Sequence, residues 1–257
     1  LGTEETVAGL TRTDLQQYHQ RHFRPDQLVI SLAGRLTLEQ AVKEVTQVFG
    51  DWQQPTTPPA TPSLSPLSAH PCQKFLPQET QQTIIMLGYL TASIQEADYP
   101  TLKLINTYLG NGLSSRLFVE LREKQGLAYE VSAFYPTRLE PSHFVTYIGT
   151  APDNVEIALK GLRKEVQRLC EVELTAEELQ ASKNKLLGQY ALAKQSNGQL
   201  AQLFGWYETL NRGVEFDDIF QESIAQVTSE QMQIVAQKYF AIAPYISLVG
   251  SEPSDKR

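Results

Sequence analysis

Arg122 and Tyr129 stand seven residues apart within GLSSRLFVELREKQGLAYEVSAFY, residues 112–135. A guanidinium carries five N–H donors and a phenol one O–H. If the two converge on one point, they can hydrogen-bond a carbonyl oxygen or the charge that develops on it during acyl transfer. That is chemistry suited to handling peptides. The plainer reading is that Arg122 offsets a helix dipole or pairs with Glu120 or Glu123 at the surface, and that Tyr129 is an ordinary strand aromatic.

Such a pair needs a rigid mount. Leu117, Phe118 and Leu121 form an apolar stripe that predicts a short helix, with Ser115 placed to cap its start and Gly126 to end it in the left-handed conformation. Arg122 then falls in the last turn. Tyr129 opens an expected strand over 128–137, which a strand over 142–151 would follow antiparallel, because Pro136 and Pro141 leave room only for a turn.

The other candidate groups carry less. His19 and His22 share a helix face at i and i+3, but a zinc helix needs histidines at i and i+4 with an intervening glutamate, and here the run is His-Gln-Arg-His. His70 and His143 have no Cys, Asp or Glu at ligand spacing. Ser114 and Ser115 form no nucleophile elbow, and Gly110-x-Gly112 lacks the third glycine of a dinucleotide fingerprint. Glu171, Glu173, Glu177 and Glu178 straddle a helix start, where carboxylates offset the dipole. Cys72 and Cys170 read as two unpaired thiols. No catalytic set is complete in the chain and no metal site is expected.

With 22 basic against 29 acidic residues the net charge is −7, which argues against nucleic acid as a partner. No run of 18 apolar residues exists, so no membrane-spanning helix is expected, and the compartment stays open between cytoplasm and periplasm.

The segment 11–34 recurs at 228–250: Thr11 matches Thr228, Gln16 matches Gln233, Phe23 matches Phe240, and Ile30-Ser31-Leu32 matches Ile246-Ser247-Leu248. The offset is 217 residues up to Phe23 and 216 from Ile30. Each copy reads as an amphipathic helix, a short connection and a strand ending in glycine. Residues 1–50, with helices over 11–22 and 37–49 and a strand over 27–33, therefore read as the end of a preceding homologous module. Residues 51–72 read as a linker holding six of the 14 prolines, and 73–257 as a second module. Its strands are expected at 73–76, 81–90, 128–137, 142–151 and 245–250. Its helices are expected at 98–109, 153–170, from Thr175 onward, and at 198–211, 216–225 and 229–240. Strands and helices that mix without alternating fit an α+β fold of two layers, a largely antiparallel mixed sheet covered on one face by helices.

The wording SSRLFVELREKQGLAY and the seven-residue Arg-to-Tyr spacing resemble the insulinase/pitrilysin family of zinc peptidases, in particular bacterial relatives of mitochondrial processing peptidase. The resemblance runs from about Thr11 to Gly250 and implies the same layered fold. It implies further that this chain is the non-metal, C-terminal half, inactive alone, with Arg122 and Tyr129 positioning a peptide substrate. Zinc would be held by an N-terminal module or by a partner subunit in a homo- or heterodimer. The alternative implied by the same scaffold is a structural or assembly subunit without peptidase activity.

Overall fold

The computed structural model describes residues 2–57 and 68–251. These fall into two compact units, one from Leu1–Pro66 and Ala193–Val214, the other from Leu67–Leu192 and Glu215–Arg257. The Pro-rich run expected as a linker lies largely on residues 58–67, outside the described residues.

The first unit holds α1 (Glu4–Ala8), α2 (Arg12–His22), α3 (Leu38–Phe49) and α7 (Asn197–Thr209). Capping boxes start α2 and α3: the Thr11 hydroxyl accepts from Asp14 N–H while the Asp14 side chain returns the bond, and Thr37 with Gln40 does the same. Arg24 is buried here, its guanidinium donating to both carboxylate oxygens of Asp26 at 2.9 and 2.7 Å and to the Thr57 carbonyl at 2.6 Å. The expected strand over 27–33 does not form. After a 3-10 turn at Pro25–Gln27 the chain runs on with no ladder partner among the described residues, and a strand exists only through bonds to a neighbour.

The second unit is built on five strands: β1 (Gln73–Pro77), β2 (Thr83–Thr91), β3 (Glu130–Phe134), β4 (Ser142–Thr150) and β5 (Tyr245–Gly250). Their order is β1-β5-β2-β4-β3, with β1 parallel to β5 and every other pair antiparallel. The helices are α4 (Tyr99–Gly110), α5 (Val155–Glu171), α6 (Ala176–Leu192), α8 (Phe216–Gln226) and α9 (Ser229–Phe240). Period-two alternation decides which sheet face they cover. Ile85, Leu87 and Tyr89 of β2 are buried while Met86 between them is exposed, and α5 packs against β2 and β4. The α+β two-layer expectation holds, with a sheet that is mixed and mostly antiparallel.

Candidate substrate-positioning site

Arg122 lies in a turn that is not α-helical. Val119 N–H still reaches the Ser115 carbonyl four residues back, but Lys124 N–H bonds the Val119 carbonyl five back, and Phe118–Glu123 is a π-helical segment. Such wide turns carry an extra residue and recur at functional sites. The segment closes as Gly126 N–H bonds the Arg122 carbonyl at 3.1 Å and Leu127 N–H the Leu121 carbonyl at 2.9 Å, with Gly126 at φ +63° as its position required. The capping role expected of Ser115 is corrected: its hydroxyl is buried without a partner among the described residues, and only Arg116 and Leu117 are α-helical before the wide turn, too few for a regular first turn whose N–H groups it could cap.

Four contacts fix this turn. Leu121 is fully buried against α5, so close that a Cβ on Gly161 would stand 2.6 Å from its Cδ2. Arg116 Nε donates to Glu165 Oε2 of α5 at 2.7 Å, and Arg116 also pairs with Glu120 at 3.2 Å. Lys124 bonds Glu120 at 2.8 Å and, with Arg116, holds that carboxyl below the usual range. Glu120 is thus satisfied by other cations. Arg122 forms no ion pair among the described residues, and its guanidinium lies 4.9 Å from the Phe118 ring centroid.

Tyr129 stands one residue before β3, its N–H bonded to the Gly149 carbonyl of β4 at 2.9 Å. Its side chain is 62% exposed and the hydroxyl has no partner among the described residues. No hydrogen bond or cation–π contact joins Arg122 to Tyr129. Both end in unoccupied donors on a backbone pinned by buried neighbours, an arrangement able to donate to an incoming carbonyl. Sequence reasoning singled out Arg122 and Tyr129 as candidates but did not point to Arg116, Glu165 and Gly161, which hold the turn that carries Arg122. Gly161, a glycine inside a strongly patterned helix, was the one readable signal.

Beside this mount a cavity of about 320 Å³ opens between α4, the Ser114–Glu120 stretch and α6, lined by Tyr108, Arg116, Glu120, Glu178 and Lys185 among others. Its charges are largely paired within the protein. Tyr108 donates to Glu178 at 3.0 Å and accepts from Arg168 at 3.0 Å, while Lys185 donates to Ser114 Oγ at 3.1 Å and to the Asn111 carbonyl.

His19 and His22 contact aromatic neighbours, His19 stacked on Phe23 at 4.7 Å and His22 tilted against Tyr18 at 4.3 Å. Among the described residues no group of three or more His, Cys, Asp or Glu is placed to hold a metal ion, and no helix is long and apolar enough to cross a membrane.

A mixed sheet with helices on one face and an exposed arginine and tyrosine at one edge defines a layered α+β module. The chain belongs to the M16 peptidase family: residues 9–186 match the family described as the Peptidase M16 inactive domain. It is 29% identical over 256 residues to an uncharacterized zinc protease of Streptomyces coelicolor, covering 97% of this chain and 56% of that protein. The fold superposes on a protease from Helicobacter pylori with a TM-score of 0.87 at 20% identity, covering 96% of this chain and 60% of that one. It also superposes on a peptidase M16 inactive domain from Pseudomonas fluorescens with a TM-score of 0.84 at 22% identity, covering 100% and 61%. The chain therefore spans between half and two thirds of these relatives.

Proposed function

We propose that this chain serves as the non-catalytic half of a zinc endopeptidase and that Arg122 and Tyr129 hydrogen-bond the backbone of a peptide substrate. The observation that carries this is the free state of both donors: the nearby carboxylate Glu120 is taken by Arg116 and Lys124, so Arg122 is left unpaired on a rigid mount. Zinc belongs in this reading to a separate metal-bearing module or partner subunit, where it would activate water and polarise the scissile carbonyl. This chain's own residues bind and orient. The family match to an inactive domain and the zinc-protease relative support the reading.

The test uses the complete active protein. Arg122→Ala and Tyr129→Phe should each lower kcat/KM for peptide cleavage, by as much as roughly 10²–10³-fold if the donor faces developing charge. Their melting temperatures should move little, since an exposed helix-end charge is worth only about 0.3–1 kcal/mol. Unchanged cleavage in both variants would make the pair structural and favour an assembly role for the scaffold.

A further inference from the structure

The cavity beside the Arg122 turn lies within the second unit and runs as a groove along α6. Glu177, Ala181 and Lys185 fall at i, i+4 and i+8 of that helix and all line the groove, so they form one stripe along its wall. With a rise of about 1.5 Å per residue, the first and last of them are mounted about 12 Å apart. The volume of about 320 Å³ falls at the lower end of small-molecule sites.

Most charges around the groove are already engaged. Arg116 is held by Glu165 and Glu120, Glu120 by Arg116 and Lys124, and Glu178 accepts from the Tyr108 hydroxyl and from Thr175 N–H. Two opposite charges are left over, one at each end of the stripe. The Lys185 ammonium donates to the Asn111 carbonyl and, at 3.1 Å, to Ser114 Oγ, both neutral oxygens; it has no carboxylate beside it among the described residues, and one of its N–H donors remains. Burial holds its pKa below the ordinary lysine value, a penalty that an arriving anion offsets. Gly112, at φ +76°, keeps space there, since a Cβ at that position would stand 3.3 Å from Lys185 Nζ. Glu177 accepts no hydrogen bond and forms no ion pair among the described residues. Its place in the first turn of α6 offsets the helix dipole and leaves its oxygens open.

We propose that this groove binds a short peptide of about three residues by its two ends, the C-terminal carboxylate on Lys185 and Ser114 and the N-terminal ammonium on Glu177. Three extended residues span about 10–11 Å, close to the separation of the two mounts. A lone anion leaves Glu177 unanswered and a lone cation leaves Lys185 so, whereas a ligand charged at both ends answers both. Between the ends the wall is made by Ala181 and Val119, which asks only for small apolar side chains. The inference does not rest on the role given to Arg122 and Tyr129, neither of which lines the groove.

Calorimetry on the complete protein, with trialanine as the probe, tests this. Trialanine should bind one to one, and amidating its C-terminus or acetylating its N-terminus should each weaken binding at least about tenfold, the strength of one charge-assisted hydrogen bond. In Lys185→Met the acid and the amide should bind alike while acetylation still matters; in Glu177→Gln the free and acetylated amines should bind alike while amidation still matters. The ligand series on the unaltered protein tests both ends without any variant, so a substitution that disturbed folding would not decide the matter. No binding at about 10 mM trialanine, or equal binding of its acid, amide and acetylated forms, would overturn the proposal. So would binding that survives both substitutions and vanishes in Arg122→Ala, which would put the peptide on the other donors. Arg122→Ala should leave trialanine binding unchanged, so failure of the peptidase reading and failure of this one are told apart.

Discussion

Leu121 and Gly161 meet without room for a methyl group between them, the Cβ that Gly161 lacks falling 2.6 Å from Leu121 Cδ2. This contact seats the π-helical turn on α5 and fixes where the next residue, Arg122, begins. Gly161→Ala should gain up to about 1 kcal/mol of helix propensity and lose about 1–3 kcal/mol to overpacking, because Leu121 is fully buried and has nowhere to go. The expected outcome is a small drop in melting temperature and, on the proposed role of Arg122, a larger drop in peptide cleavage by the complete protein. A higher melting temperature with unchanged cleavage would mean that the turn yields and Arg122 does not depend on it.

Gly110 ends α4 against the backbone of β3, where an added Cβ would stand 2.0 Å from the Ala133 nitrogen. Backbone cannot swing aside as a side chain can. Gly110→Ala should therefore destabilise the unit by about 3 kcal/mol or more, at the upper end of overpacking effects. Gly188→Ala in α6 is the control, since nothing lies within 4 Å of its Cβ, and it should stabilise by about 0.5–1 kcal/mol. Urea unfolding of the two variants side by side would show the opposite signs.

Lys103 gives the fold a pH dependence. It is half-buried as a residue, but its ammonium donates to the Tyr135 carbonyl at 2.9 Å and lies 5.4 and 5.2 Å from the Tyr99 and Tyr135 ring centroids, with no carboxylate beside it. Burial pushes its pKa down from 10.5 to about 8. The unfolded chain therefore binds more protons than the folded one between those values, and stability from this group rises as pH climbs through about 8. At neutral pH the cost is at most about 3 kcal/mol. Lys103→Met should flatten the rise between pH 8 and 9.5 in denaturant titrations; an identical slope in wild type and variant would show that the ammonium is better solvated than its neighbours suggest.

Much of the framework was readable because local rules and tertiary context agree there. Thr37 with Gln40 and Thr175 with Glu178 form the capping boxes their spacing called for, and Gly126 takes its positive φ. The strand over 27–33 was misread for the opposite reason: Val29, Ile30 and Leu32 have strand character, but pairing is a property of two segments and the second is absent among the described residues. The candidate site was legible only as residue types, without its mount. Residue type and spacing picked out Arg122 and Tyr129, whereas the widened turn, the idle hydroxyl of Ser115 and the Arg116–Glu165 bond across 49 positions arise from packing that no local pattern encodes.

The strand order also sets a timetable for synthesis. β5, the last of this sheet's five strands in chain order, lies between β1 and β2, so that Gln73 waits for Ile246 and Ile85 for Leu248. Until then β1 has no partner and one side of β2 stays open, and the pairing that joins the start of the unit to its end is among the slowest kinds of contact to form. The nascent unit is therefore most exposed to misassembly just before translation of this segment finishes. A chain that stops before β5 would leave β1 without a neighbour, converting the loss of six residues into the loss of the sheet's whole parallel edge.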